Sequence, residues 1–186
     1  MKLPKPKNWN KVPKDLWEIY PNVFVLDLWA PKDCEAILKR VGPLRMKAPP
    51  PNSMNRYGVV LYGSWFRALG KHLVHRYIEP VAAANYPRIN QLKRDPYAFV
   101  VDYDMKKQRS LAAHFDSAHV TLNVCLSKEC EGGELVFYDE AGRKPVFEMQ
   151  HVPGRAIIHR ASHVHRAKPL RSGRRSNLIL WCEQTK

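Results

Sequence analysis

Val120-Thr121-Leu122-Asn123-Val124-Cys125-Leu126 and Glu134-Leu135-Val136-Phe137-Tyr138 are strand-sized runs, and Gly132-Gly133 lies between them. β-branched, aliphatic and aromatic residues on either side of a double glycine read as strands joined by a turn. The pattern continues outward. Residues 97–103 upstream, and 146–149, 155–159 and 177–182 downstream, are further strand candidates, with Pro153-Gly154 as a second turn signal. Many short strands punctuated by turns specify a sandwich or barrel. The expected core is a double-stranded β-helix, a jelly roll of the cupin kind.

The N-terminal part reads differently, so the fold class is mainly β with N-terminal helices (α+β). Residues 23–27 form a short strand candidate and residues 31–40 a helix with Pro31 in its first turn. Ser64 is a candidate N-cap for a second helix, where Trp65, Phe66, Leu69, Leu73, Val74 and Tyr77 recur at helical spacing. Pro80 is expected to end or kink it. The basic, proline-rich start Met1-Lys2-Leu3-Pro4-Lys5-Pro6-Lys7 is expected to be a mobile tail over residues 1–15, leaving residues 16–186 as one domain.

No apolar run approaches the ~18 residues that span a membrane, and none follows the basic start as in a secretory signal. Cys34, Cys125, Cys130 and Cys182 form no C-x-x-C pair, so reduced thiols and a cytoplasmic location are expected, with the nucleus as the alternative. The formal net charge is +14. Between Arg143 and Arg175 there are nine Lys or Arg against the single acid Glu148. Such a bias attracts anionic partners but says nothing of fold.

His114-Phe115-Asp116 puts an imidazole and a carboxylate on one face of an extended segment. With open positions, that pair suits the facial triad of a non-heme Fe(II) centre. The third ligand must come from a distant strand, and His163-Val164-His165 offers two imidazoles. Arg175, Asn177, Ile179 and Trp181 then alternate along one face of the last strand. A guanidinium inside a barrel needs an anionic partner. The far carboxylate of 2-oxoglutarate is a natural one, because arginine binds carboxylates bidentately.

Together these motifs resemble the prolyl-4-hydroxylase-like branch of the 2-oxoglutarate/Fe(II) dioxygenases. The H-x-D pair, a distal His, a basic residue ten positions on and Trp181 six further carry the resemblance. Residues 97–103, Val120–Leu126 and Gly132-Gly133-Glu134-Leu135-Val136-Phe137 are similar to it as well. Met54-Asn55-Arg56-Tyr57-Gly58-Val59-Val60-Leu61 resembles the subgroup of 2-oxoglutarate and iron-dependent oxygenase domain-containing proteins.

The resemblance covers roughly residues 52–182. It implies His114, Asp116 and His165 as iron ligands, with His165 preferred over His163 by its spacing to Arg175. It implies Arg175 as the partner of the C5 carboxylate, and Tyr103, Thr121, Asn123, Cys125 and Trp181 as further residues of the cosubstrate pocket. Many prolyl hydroxylases carry an aromatic near the position of Cys125, so this lining is altered. The implied cofactors are Fe(II), 2-oxoglutarate and O2, with ascorbate as an optional extra. The implied reaction is hydroxylation of a substrate C–H with release of succinate and CO2. The expected substrate is a peptide or protein with acidic flanks, held by Arg155, Arg160, Arg166 and Lys168. A nucleobase demethylase, which the positive charge would suit, and a non-catalytic metal-binding module are the rival readings.

Overall fold

The computed structural model describes residues 15–45, 57–89 and 91–185. The expected tail and Met54-Asn55-Arg56 lie outside these, apart from Asp15. In chain order the elements are β1 (Trp17–Tyr20), β2 (Val23–Asp27), α1 (Pro31–Arg45), β3 (Val59–Val60) and α2 (Ser64–Leu73). A π-helical stretch (Val74–Ile78) leads into α3 (Glu79–Asn85). Then come β4 (Tyr97–Asp104), β5 (Leu111–His114), β6 (Val120–Gly132), β7 (Leu135–Tyr138), β8 (Pro145–Met149), β9 (Arg155–Arg160), β10 (His165–Ala167) and β11 (Leu170–Cys182). They form a seven-stranded sheet in the order β1-β2-β9-β6-β11-β4-β3 and a four-stranded sheet in the order β5-β10-β7-β8. All ladders are antiparallel. The architecture is the expected jelly roll with helices in the N-terminal half.

Period-two alternation assigns each face of the large sheet. Leu122 and Val124 of β6, Ala156 and Ile158 of β9, and Leu178, Leu180 and Cys182 of β11 pack with Ile37, Leu69, Leu73, Ile78 and Val81 of the helices. Their neighbours Phe99, Val101, Tyr103 and Ile179 turn the other way and cluster with Ala167 and Leu170. Full burial of each such aliphatic side chain contributes about 1.5–3 kcal/mol. Leu122, fully buried, would cost ~2–5 kcal/mol as alanine.

β6 holds the irregularity that positions the site. Ser176 faces Ser127 and Asn177 faces Cys125, which leaves Leu126 as an extra residue on β6. That bulge lets the strand run on to Gly132 with its alternation reset. Other boundaries differ from expectation for local reasons. Gly63, at φ 96, occupies the cap position, and its carbonyl accepts from Arg67 N at 3.1 Å, so Ser64 is the first helical residue instead. Pro80 does not end the helix. Its missing N–H follows a π-helical stretch, and the helix resumes as α3. Helix α1 runs five residues beyond the expected end and contains Pro43, which forfeits one bond close to the terminus.

Candidate metal centre and cosubstrate pocket

His114 closes β5 and His165 opens β10, and the two are direct partners across an antiparallel ladder. Cross-strand partners project to the same side, so their rings meet with centroids 4.4 Å apart. Asp116 joins them because its N–H donates to the Ala161 carbonyl at 2.9 Å, fixing the turn after β5. One ligand atom from each of His114, Asp116 and His165 lies within 4.8 Å of the others. The two Nε2 atoms stand 3.6 and 3.8 Å from the Asp116 carboxylate.

Orientation of the rings follows from their far sides. His114 Nδ1 donates to the Ala112 carbonyl at 2.8 Å and His165 Nδ1 to the His163 carbonyl at 2.9 Å. A carbonyl only accepts, so each Nδ1 carries the proton and each Nε2 presents its lone pair to the shared point. Thr121 donates its hydroxyl to Asp116 Oδ2 at 2.6 Å. Burial opposes the Asp116 charge, but the nearby His114, His165 and His159 rings and the Thr121 hydroxyl together hold its carboxyl below the usual range. Burial pushes His165 well down, and neighbouring His159 adds to this. Burial also lowers His114, but the adjacent Asp116 carboxylate and the Ala112 carbonyl outweigh that and raise it. His163 does not join the cluster: its Nε2 lies 2.9 Å from the Tyr138 carbonyl.

A cavity of about 50 Å³ touches all three residues. Tyr103, Thr121, Asn123 and Trp181 also line it, together with Phe99, Val101, Leu135 and Ile179. Arg175 and Cys125 do not. Arg175 is 1% exposed, with its Cζ 4.6 Å from the Tyr103 ring centroid, and one terminal nitrogen donates to the Gly133 carbonyl. Its Nε has no hydrogen-bond partner, and no carboxylate pairs with it among the described residues. Cys125 is buried beside the bulge, with its thiol 3.6 Å from the Ser127 carbonyl and its own carbonyl facing Cys34. The bulge at Leu126 takes it off the cavity wall, so it is a flank of the pocket and not a lining residue.

Two features escape sequence reading. His151, after β8, is buried, and its Nδ1 sits 3.2 Å from Asn177 Nδ2. That amide also donates to Asn123 Oδ1 at 2.6 Å. Gly133, at φ 72, is so close to Arg175 that an added Cβ would lie 2.7 Å from a guanidinium nitrogen. The double glycine is legible as a turn but not as the space that admits an arginine.

The basic segment is less free than its composition suggests. Arg155 pairs with Asp27 at 2.8 Å, Lys168 with Glu148 at 2.6 Å, Arg171 with Glu134 at 3.7 Å and Arg174 with Glu129 at 2.8 Å. Arg155 and Arg160 sit at opposite ends of β9, roughly 16 Å apart at ~3.3 Å per residue, so they do not ring one mouth.

A jelly roll with imidazole, carboxylate and imidazole converging from facing strands defines the class of cupin-like metalloproteins. Comparison with known proteins narrows this. Residues 98–183 match the model of the 2OG-Fe(II) oxygenase superfamily. The "2-oxoglutarate and iron-dependent oxygenase domain-containing protein ICU11" of Arabidopsis thaliana is 35% identical, over 90% of this chain and 47% of that protein. The chain therefore spans about half the length of this relative. Among solved structures, a prolyl 4-hydroxylase from Phytophthora capsici superposes with TM-score 0.66 at 18% identity, over 89% of this chain and 60% of that one. A prolyl hydroxylase from Trichoplax adhaerens, solved with a hypoxia inducible factor peptide, gives 0.65 at 14% identity, over 88% and 84%. The chain belongs to the 2OG-Fe(II) oxygenase superfamily. That family uses Fe(II), 2-oxoglutarate and O2. The donor set here, two imidazole nitrogens and one carboxylate, fits such an iron, and the orphaned Arg175 Nε fits a carboxylate ligand.

Proposed function

We propose that this chain is an Fe(II)- and 2-oxoglutarate-dependent dioxygenase that hydroxylates a C–H bond of a peptide or protein side chain, releasing succinate and CO2. The observation that carries this is a buried arginine with no counter-ion among the described residues, packed on Tyr103, which also lines the cavity of the metal-ligand cluster. His114, Asp116 and His165 would hold the iron, and Arg175 would bind the C5 carboxylate with Tyr103 against its face. Iron and 2-oxoglutarate, when bound, supply the oxidising chemistry. The chain orients them and keeps water out with Phe99, Val101, Leu135 and Ile179. Thr121 and Asn123 would line the cosubstrate pocket, and Trp181 its mouth.

A peptide is favoured by the mouth itself. Trp181 lines both the metal cavity and an outer groove of about 600 Å³ with Tyr62 and Tyr97 on its walls. The charges in that groove are matched, Arg67 with Asp95 and Lys93 with Glu183. Such a groove offers a phosphate backbone no net positive track, whereas aromatic walls suit an extended neutral peptide. The surface used would thus be this groove and not the paired arginines of the downstream segment.

The test is succinate release from 2-oxoglutarate with and without Fe(II), O2 and candidate peptides, with ascorbate in the buffer. Turnover should need metal and oxygen. Full activity in an anaerobic, iron-free sample would overturn the enzymatic reading. Stimulation by single-stranded oligonucleotides alone would replace the peptide by a nucleobase substrate.

A further inference from the structure

Beyond the donors of the metal cluster, the sandwich contains a second buried polar group made of Asn123, His151, Arg175 and Asn177. Its members come from the large sheet and from the loop that leaves the small one. Asn123 lies on β6, Arg175 and Asn177 lie on β11, and His151 follows β8 of the small sheet. All but Asn123 are at most 4% exposed. Two of their polar atoms, Arg175 Nε and Asn177 Oδ1, have no partner. Buried orphans on alternate residues of one strand face are costly unless something occupies the space between them.

We propose that His151 is a positioning residue for the far carboxylate of the cosubstrate, acting by accepting the Asn177 amide and so fixing the side chain next to Arg175. This rests on the reading of Arg175 as the carboxylate anchor. As the two amides are oriented, one arrangement of protons follows. Asn177 Nδ2 gives its two hydrogens to Asn123 Oδ1 at 2.6 Å and His151 Nδ1 at 3.2 Å. His151 therefore accepts at Nδ1. Its burial, helped by the charges of Arg175 and Lys128, disfavours the imidazolium and supports that role. A second cation here would repel Arg175. A neutral histidine leaves Arg175 as the sole charge of this group, matched to one carboxylate. Without His151 the Asn177 amide keeps only its bond to Asn123, so its orphaned oxygen can swing more readily towards Arg175 Nε, filling the donor meant for the ligand.

The experiment uses the full chain loaded with Mn(II), a metal that binds oxygen and nitrogen donors without turning over. 2-Oxoglutarate and 2-oxobutanoate, which has the keto acid but no second carboxylate, are titrated calorimetrically. His151→Phe keeps a ring but no acceptor, and it should weaken 2-oxoglutarate about tenfold, as expected when a buried amide loses its partner. Binding of Mn(II) and of 2-oxobutanoate should change less than about twofold, because neither reaches this group. His151→Gln, whose side-chain carbonyl can accept from Asn177, should recover most of the loss. Should the Phe variant not fold, Asn177→Leu provides the same comparison between the two acids. Equal weakening of both acids, or no change in either, overturns the proposal. If Arg175→Ala also leaves 2-oxoglutarate binding intact, the anchor reading itself has failed.

Discussion

The two ends of the buried polar interior are built on opposite principles. At the metal end nearly every polar atom is committed. Each imidazole is held by a carbonyl, and the Asp116 carboxylate by Thr121. At the anchor end the arginine is buried with Nε unpartnered, and Asn177 Oδ1 is orphaned too. A buried charge without a counter-ion costs several kcal/mol. The metal end thus has its donors arranged in advance, while the anchor end, on the proposed reading, would be completed by what binds. The difference separates variants that destroy a site from variants that tune an affinity.

The largest effect belongs to the metal end. His114→Ala, Asp116→Ala and His165→Ala should each abolish turnover and iron binding, whereas His163→Ala, bound to the Tyr138 carbonyl, should retain iron. Iron titration of the four variants decides this. Retention by His165→Ala and loss by His163→Ala would reverse the assignment. Next comes Arg175→Ala. Removing one partner of a buried ion pair costs ~3–5 kcal/mol, so the 2-oxoglutarate requirement should rise on the order of a hundredfold with iron affinity little changed. Steady-state kinetics against an iron titration separate the two, and a parallel loss of both would collapse the distinction between the ends.

A smaller effect tests how far the preorganisation matters. Thr121→Val keeps the shape of the side chain but removes the hydroxyl from Asp116. Partners that orient a metal ligand typically contribute 10–100-fold to metal affinity. We expect the lower end, about tenfold, since the two ring orientations are untouched. An unchanged iron affinity would mean that the backbone alone, through Asp116 N–H to Ala161, sets the carboxylate.

Much of this was legible in the sequence, and the gaps have physical causes. The expected strands at 97–103, 134–138, 146–149, 155–159 and 177–182 all occur, because half-buried strands show period-two alternation. The short strands β1, β3, β5 and β10 were missed: two to four residues are too few to display a period. Two of these, β5 and β10, carry the histidines, so the pairing that unites His114 with His165 was visible only as spacing. β6 ran on past Leu126 unseen because a bulge breaks alternation without ending a strand. The sequence marks His151 only as a structural or supporting histidine, because a lone histidine after a strand has no pattern that would assign it a partner. Its role depends on Asn177, and only the packing of one sheet on the other brings them together.

The smallest expected effect is the one that tests strand phase. Arg174 and Arg175 are neighbours in sequence and identical in chemistry, yet β11 sends one outward and one inward. Arg174 lies on the surface, paired with Glu129 at 2.8 Å, with both side chains about two-thirds exposed. Such pairs are screened by water and salt and contribute ~0.2–1 kcal/mol. Arg174→Ala should therefore lower stability by less than about 1 kcal/mol and change the 2-oxoglutarate requirement by less than about twofold. The pair is compared by denaturant midpoint and by titration of the cosubstrate. Two adjacent arginines that differ by on the order of fifty-fold or more in cosubstrate affinity would place the anchor on the inner face of β11. Equal effects would mean that the charge of the whole segment, and not one buried guanidinium, attracts the carboxylate, and raising the salt concentration would then weaken binding in the wild type as much as either substitution does.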